Sequence, residues 1–217
     1  MKSFLSVLLF LSVISGIVSA DDSEWKLSRD RRDIKIYTRR VEGIAFKQYK
    51  GVVTVNASLS SVIALFEDHG AAKDWIDTCE RIELVEQIAP NESITYSYNN
   101  APWPAKDRDA VVHSVIKQDP ETLTVSIVQE AISGHVPLNR KAVRVEFIEG
   151  SWTLVPLEKN RTRITYQVLT DPGGGIPAWL VNAVAISQPF NTLEGFRDLV
   201  TSDKYRDASF EFITERD

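Results

Sequence analysis

Three hydrophobic rhythms follow one another along the chain. Residues 34–38 and 45–55 alternate, or run β-branched and aromatic, on either side of Glu42-Gly43, which predicts two strands joined by a turn. A short polar lead containing Trp25 precedes them. Between residues 56 and 77 the period becomes three and four. Ser58 is placed to cap a helix, Leu59, Val62, Ile63 and Phe66 recur on one face, and Gly70 stops it before a short helical piece carrying Trp75. Strand signals then return at 81–88, 93–98, 109–117, 122–130, 142–155 and 162–170, with turn chemistry at 89–92, 118–121 and 158–161. This spacing suits an antiparallel meander. In its last strand Ile164, Tyr166 and Val168 alternate with Arg163, Thr165 and Gln167, so one sheet face is expected to be wet.

The pattern changes a final time at Asp171-Pro172-Gly173-Gly174-Gly175. One long helix is predicted to begin near Pro177, a favoured first-turn residue. Residues 178–186 are apolar on nearly every side apart from Asn182, so this helix is expected to be covered on most of its surface, while Phe190, Leu193 and Phe196 continue a face. Pro189 deletes a backbone hydrogen bond and predicts a kink. The expected fold class is α+β: a curved antiparallel sheet of seven to nine strands wrapped around a long C-terminal helix. A straight helix cannot follow a strongly curved sheet throughout, so the space between them is either plugged by large side chains or left as an internal hydrophobic cavity.

Composition narrows the setting. Lys2, the apolar residues 4–18 and the small residues Val18 and Ala20 read as a signal peptide over residues 1–20, with the domain at 21–217. The apolar run falls short of the ~20 residues of a spanning helix. The mature chain is therefore expected to be exported: periplasmic in a bacterium, secreted otherwise. Removing Lys2 leaves 24 basic side chains against 30 acidic, with the two signs interleaved, so nucleic acid is not an expected partner. Cys79 is the only cysteine, which excludes an internal disulfide and is better read as a buried thiol than as a nucleophile. Asn56, Asn91 and Asn160 head glycosylation sequons that matter only in a glycosylating host. No repeat or flexible linker interrupts residues 21–217, so one domain is expected.

Pro102-Trp103-Pro104 followed by Asp107-Arg108-Asp109, Gly150-Ser-Trp152, and Pro177-Ala-Trp-Leu-Val-Asn182 occur in order over much of the chain. With these motifs the sequence resembles the START family of steroidogenic-acute-regulatory-protein-related lipid-transfer domains. The resemblance implies a helix-grip fold, a C-terminal lid helix and a tunnel for one lipid, whether sterol, phospholipid or another. Ser114, beside His113, stands where some sterol-binding members carry a basic residue, a departure that weighs against a sterol. The residues expected to bind the ligand are Trp103, Arg108, His113, Gln129, Trp152, Tyr166, Trp179, Asn182, Ala183, Ile186 and Phe190. Val136, Pro137 and Leu138, with Gly173, Gly174 and Gly175, are the expected gate and hinge.

Several of these residues have two readings. Arg108 is either a headgroup contact or a cation satisfied by its flanking carboxylates. Trp103 is either a wall of the tunnel mouth or a loop anchor, and Val136 and Leu138 either touch a membrane or tuck beneath the lid. Tyr166, Gln129 and Asn182 are either polar ligand contacts or partners of neighbouring backbone. His69, His113 and His135 are too scattered for a metal site, no nucleophile elbow or phosphate loop is present, and neither metal nor cofactor is expected. The expected function is a non-enzymatic lipid carrier, monomeric and in transient contact with membrane surfaces. The alternatives are a cyclase or hydrolase using Asp109 and His113 in the same cavity, and an interaction module with a plugged core.

Overall fold

The computed structural model describes residues 24–101, 103 and 105–216, without the side chains of Ala178 and Ala183. Ten strands form one sheet: β1 (Lys26–Arg31), β2 (Ile34–Arg40), β3 (Lys47–Val55), β4 (Cys79–Ala89), β5 (Glu92–Asn99), β6 (Asp107–Gln118), β7 (Val125–Ala131), β8 (Ala142–Arg144), β9 (Phe147–Glu158) and β10 (Arg161–Asp171). Their order is β1-β2-β3-β10-β9-β7-β6-β5-β4, antiparallel throughout except for β8, which pairs in parallel with β6. Five helices accompany the sheet: α1 (Leu59–Glu67), α2 (Ala72–Trp75), α3 (Ala178–Val184), α4 (Ser187–Val200) and α5 (Asp203–Arg206). Ser58 caps α1, its Oγ accepting from Ser61 N at 3.1 Å. Among the described residues no helix is long and apolar enough to cross a membrane.

Five details depart from the sequence pattern. The polar lead is a strand, β1, whose charged side chains befit a sheet edge, and it reaches β2 through Arg32 and Asp33, both at positive φ. The single strand expected over 142–155 is two, because β8 extends β6 where β7 has left it. The long C-terminal helix is also two, broken at Ala185 and Ile186. Pro189 does not kink it: it lies in the first turn of α4, where its missing N–H would have had no helical partner. Finally, the outer sheet face is not uniformly wet, since Ile94, Tyr96, Tyr98 and Val111 are covered there by Ile132, Val136 and Ala142.

The solid core lies between α1, α4 and the part of the sheet around β2, β3, β10 and β9. Phe190, Leu193, Phe196 and Val200 form the buried stripe of α4, each contributing about 1.5–3 kcal/mol by leaving water. Close approach depends on glycine: a Cβ on Gly51 would stand 2.4 Å from Leu193 Cδ1, and one on Gly195 would stand 2.9 Å from the Trp75 backbone. At one end of this core Trp75 meets Phe196 edge-on at 4.8 Å, and Trp152 stacks on Tyr166 at 4.1 Å.

Candidate functional site: the cavity beneath α3

Beyond that aromatic cluster the interior stays open. A cavity of about 420 Å³ lies between the sheet and α3, whose Leu180, Val181 and Val184 line it. Strand register explains the opposite wall. Ser93, Ser114, Gln129, Gly150, Val168 and Tyr49 are successive cross-strand partners from β5 to β3, and all six line the cavity. Trp152 closes the end next to this row. Along β6 the inward positions continue from Ser114 through Val112 and Ala110 to Arg108, towards Ala101, Ala105 and Ile176.

Burial sets the electrostatics. It raises Tyr49 well above the usual phenol value and raises Tyr166 too, while their hydroxyls lie 3.4 Å apart. It pushes the Cys79 thiol up to about 11 and lowers His69, so these four wall groups are neutral at neutral pH. Burial also lowers Arg108, against the pull of the neighbouring Asp107 charge; it remains a cation whose hydrogen bonds go to backbone carbonyls. Nε donates to Pro172 O at 3.2 Å, Nη2 to Gly173 O at 3.1 Å, and Nη1 to Lys106 O. Its neighbours are committed elsewhere: Asp107 accepts from Tyr98 Oη and Ala101 N, and Asp109 accepts from Tyr96 Oη and from Arg144 through two nitrogens at 3.0 and 3.1 Å. The hydrogen bonds of Arg108 and of its flanking carboxylates therefore form separate networks, while Asp107 and Arg108 still attract each other through their charges.

A sheet wrapped on a C-terminal helical pair with a cavity beneath it matches known proteins. The START domain family profile matches residues 16–203. The chain belongs to the START domain family. It is 32% identical over 198 residues to an uncharacterised protein of Pseudomonas aeruginosa, covering 91% of this chain and 97% of that one. It is 32% identical over 188 residues to the human ceramide transfer protein, covering 76% of this chain but only 30% of that longer protein. Among solved structures, a STAR-related lipid transfer protein fragment from Xanthomonas axonopodis superposes with a TM-score of 0.76 at 32% identity, over 82% of this chain and 99% of that one.

Within this START domain, Arg108, Gln129, Trp152 and Tyr166 lie on the cavity wall. The other described side chains expected there do not. His113 is on the outer face of β6, with Nε2 2.7 Å from Glu92 and Nδ1 3.3 Å from Glu130, because it is one residue out of phase with Ser114. Asn182 accepts from Lys47 N at 2.9 Å, and Ile186 and Phe190 pack in the solid core, with the Arg29 guanidinium over the Phe190 ring. Trp103 and Trp179 are 92% and 72% exposed, so α3 is not covered all round. The side chain of Ala183, and Pro102 and Pro104, lie outside the described residues.

Val136 covers the outer cluster while its carbonyl and that of Pro137 accept from Arg144; Leu138 is exposed beside a shallow surface depression. Gly173, Gly174 and Gly175 all take positive φ, at 63°, 68° and 68°. Sequence reasoning missed the inward face of β5, namely Ser93, Thr95, Ser97 and Asn99. Their strict alternation with Ile94, Tyr96 and Tyr98 was the available signal, but a polar face normally points to water. The signal peptide expected over residues 1–20 lies outside the described residues. Among the described residues no group of three or more His, Cys, Asp or Glu side chains is placed to hold a metal.

Proposed function

We propose that the protein is a non-enzymatic carrier that holds one lipid molecule in the cavity beneath α3 and exchanges it at membrane surfaces. The cavity carries this reading: its volume of about 420 Å³ falls within the range of small-ligand sites. Each methylene buried there contributes about 0.8 kcal/mol, so ten contribute about 8 kcal/mol towards capture. Two of the similar proteins are named for lipid or ceramide transfer, in keeping with the same role here. Trp103 lies in sequence between the cavity-lining residues Ala101 and Ala105, and Trp179 adjoins Leu180, so each exposed indole is close in sequence to a wall residue. Indole favours the boundary between hydrocarbon and water, which suits them to bilayer contact. Gly173, Gly174 and Gly175 are the proposed hinge of α3, clipped by Arg108 in the closed state. Asp109 and His113, the acid-base pair an enzyme would use here, point away from the cavity and are bound to Arg144, Tyr96, Glu92 and Glu130.

A transfer assay between donor vesicles with a fluorescent acyl-chain lipid and unlabelled acceptors tests this reading. Catalytic amounts of protein should accelerate transfer, and Trp103→Ser with Trp179→Ser should slow it several-fold while one lipid per protein is still extracted. No acceleration together with no extraction would overturn it. We also propose export after cleavage at Ala20, which mass measurement of the protein from its native host would show as loss of residues 1–20.

A further inference from the structure

Charge is spread unevenly over the sheet. The chain carries a net charge of −5, yet residues 26–50, which run through β1 and β2 into β3, hold nine basic side chains against three acidic ones. On the outer face of these strands two cations share one aromatic ring. Tyr49 lines the cavity, so its neighbour Lys50 faces outward, opposite Tyr37 on β2, while Arg39 is paired with Gln48. The Arg39 guanidinium and the Lys50 ammonium each stand 4.5 Å from the centroid of the half-buried Trp25 ring, and the Lys50 ammonium stands 4.8 Å from that of Tyr37. Arg39 Nε donates to the neutral Gln48 at 2.7 Å. Among the described residues no carboxylate forms an ion pair with either cation; burial, and then the charge of Arg39, lower the Lys50 ammonium below its usual value. The ring face attracts each cation but leaves their mutual repulsion uncompensated, whereas a bound anion would attract both. Next to Gln48, Lys47 N donates to Asn182 Oδ1 of α3 at 2.9 Å, so the cation pair belongs to the end of the β2–β3 hairpin that abuts the helix over the cavity.

We infer that Trp25, Arg39 and Lys50 form a dock for the anionic headgroups of acidic phospholipids, by which the carrier settles on negatively charged bilayers with α3 beside the surface. Charge and position select this occupant. A phosphodiester headgroup is an anion that accepts hydrogen bonds from guanidinium and ammonium alike. A bilayer presents many such groups over a plane, which suits a patch where Arg40 and Lys47 extend the positive potential around the pair. The position beside α3 favours the bilayer over an acidic protein, because a carrier has to meet the membrane near the helix that covers its cargo. The exposed indoles of Trp103 and Trp179 are uncharged and cannot tell an acidic bilayer from a zwitterionic one; the cation pair can. This inference rests on the lipid-carrier reading, but the two fail differently.

The test floats the purified protein with vesicles of phosphatidylcholine alone or of equal parts phosphatidylcholine and phosphatidylglycerol, and weighs the lipid each protein extracts by mass spectrometry. At low salt the wild type should bind the acidic vesicles about ten-fold or more tightly than the zwitterionic ones, and added salt should weaken that preference. Arg39→Gln with Lys50→Gln should remove most of it, about five-fold for each charge lost, while extraction of one lipid per protein from phosphatidylcholine persists and reports an intact fold. Arg39→Lys, which keeps the charge but not the planar fork that holds Gln48, should retain the preference, as a purely structural role for Arg39 would not. Equal binding to both kinds of vesicle overturns the dock and returns the cation pair to an acidic protein partner. Preference that survives the double substitution, or that is lost in Arg39→Lys, overturns it too, and in each case continued extraction leaves the carrier reading standing. Absence of any extracted lipid overturns the carrier reading and this inference with it.

Discussion

Among the described residues, Asp109 and Arg144 form the most enclosed ion pair, with side chains 0% and 9% exposed. Two parallel bonds at 3.0 and 3.1 Å join them, Tyr96 Oη adds a third to the carboxylate, and Arg144 also ties down the carbonyls of Val136 and Pro137. Replacing Asp109 with Val leaves a guanidinium facing an apolar cluster, and replacing Arg144 with Met leaves the carboxylate with Tyr96 alone. Removing one partner of such a pair costs about 3–5 kcal/mol, because the remaining charge stays desolvated. For a domain of this size that lowers the melting temperature by roughly 6 °C or more. Removing both partners eliminates the stranded charge, so the double variant should lose no more than either single one, a coupling of about 3 kcal/mol. Urea denaturation of the four proteins, with unchanged m-values, measures the cycle. Additive losses, or single variants within about 1 kcal/mol of wild type, would refute the assignment of Asp109 to Arg144.

Gly174→Ala should cost more than Gly175→Ala, although both sit at φ +68°: only at Gly174 would the new Cβ meet neighbours, Val143 Cγ2 at 3.1 Å and Arg108 Nη2 at 3.2 Å. Denaturation should show about 1–2 kcal/mol for Gly175→Ala, the cost of left-handed backbone, and a larger loss for Gly174→Ala; equal losses would contradict the packing. The Glu92 hydrogen bond, aided by Glu130, raises His113 above the usual imidazole value. Its stabilisation is complete below about pH 6.5 and is lost as pH climbs through the raised folded value, so wild type and His113→Gln should converge in melting temperature on the alkaline side; parallel curves would refute this. With its thiol pushed up to about 11, Cys79 should react slowly with iodoacetamide near neutral pH, and more slowly still once a lipid covers it. Labelling indifferent to loading would place the cargo elsewhere.

The legible parts of the fold were those where local pattern and tertiary role agree. The turns at 89–92 and 158–161 close two-residue hairpins, and the Phe190, Leu193, Phe196 face packs as its spacing predicts. β1 was hidden because an edge strand gains from the charges that make it look like a loop. Pro189 misled because its consequence depends on where a helix starts, and the break at Ile186 moved that start to within two residues of it.

The cavity was harder to read. Trp152 and Tyr166 are large and apolar enough to be expected inside, and they are, at the boundary of core and cavity. β5 reverses the usual rule, turning Ser93, Thr95 and Ser97 inward and Tyr96 and Tyr98 outward beneath the segment around Val136. Only the path of that segment and the emptiness under α3 make the arrangement intelligible, and neither has a local signature. In the same way, α3 offers Leu180, Val181 and Val184 to the cavity and leaves Trp179 outside, although all four residues look equally suited to burial.

Native mass spectrometry of the gently purified protein addresses the occupancy of the cavity most directly. The account predicts a species heavier than the polypeptide by one lipid molecule, with a stoichiometry of one per chain and release on denaturation. Bare polypeptide alone, unchanged after incubation with lipid vesicles, would contradict it.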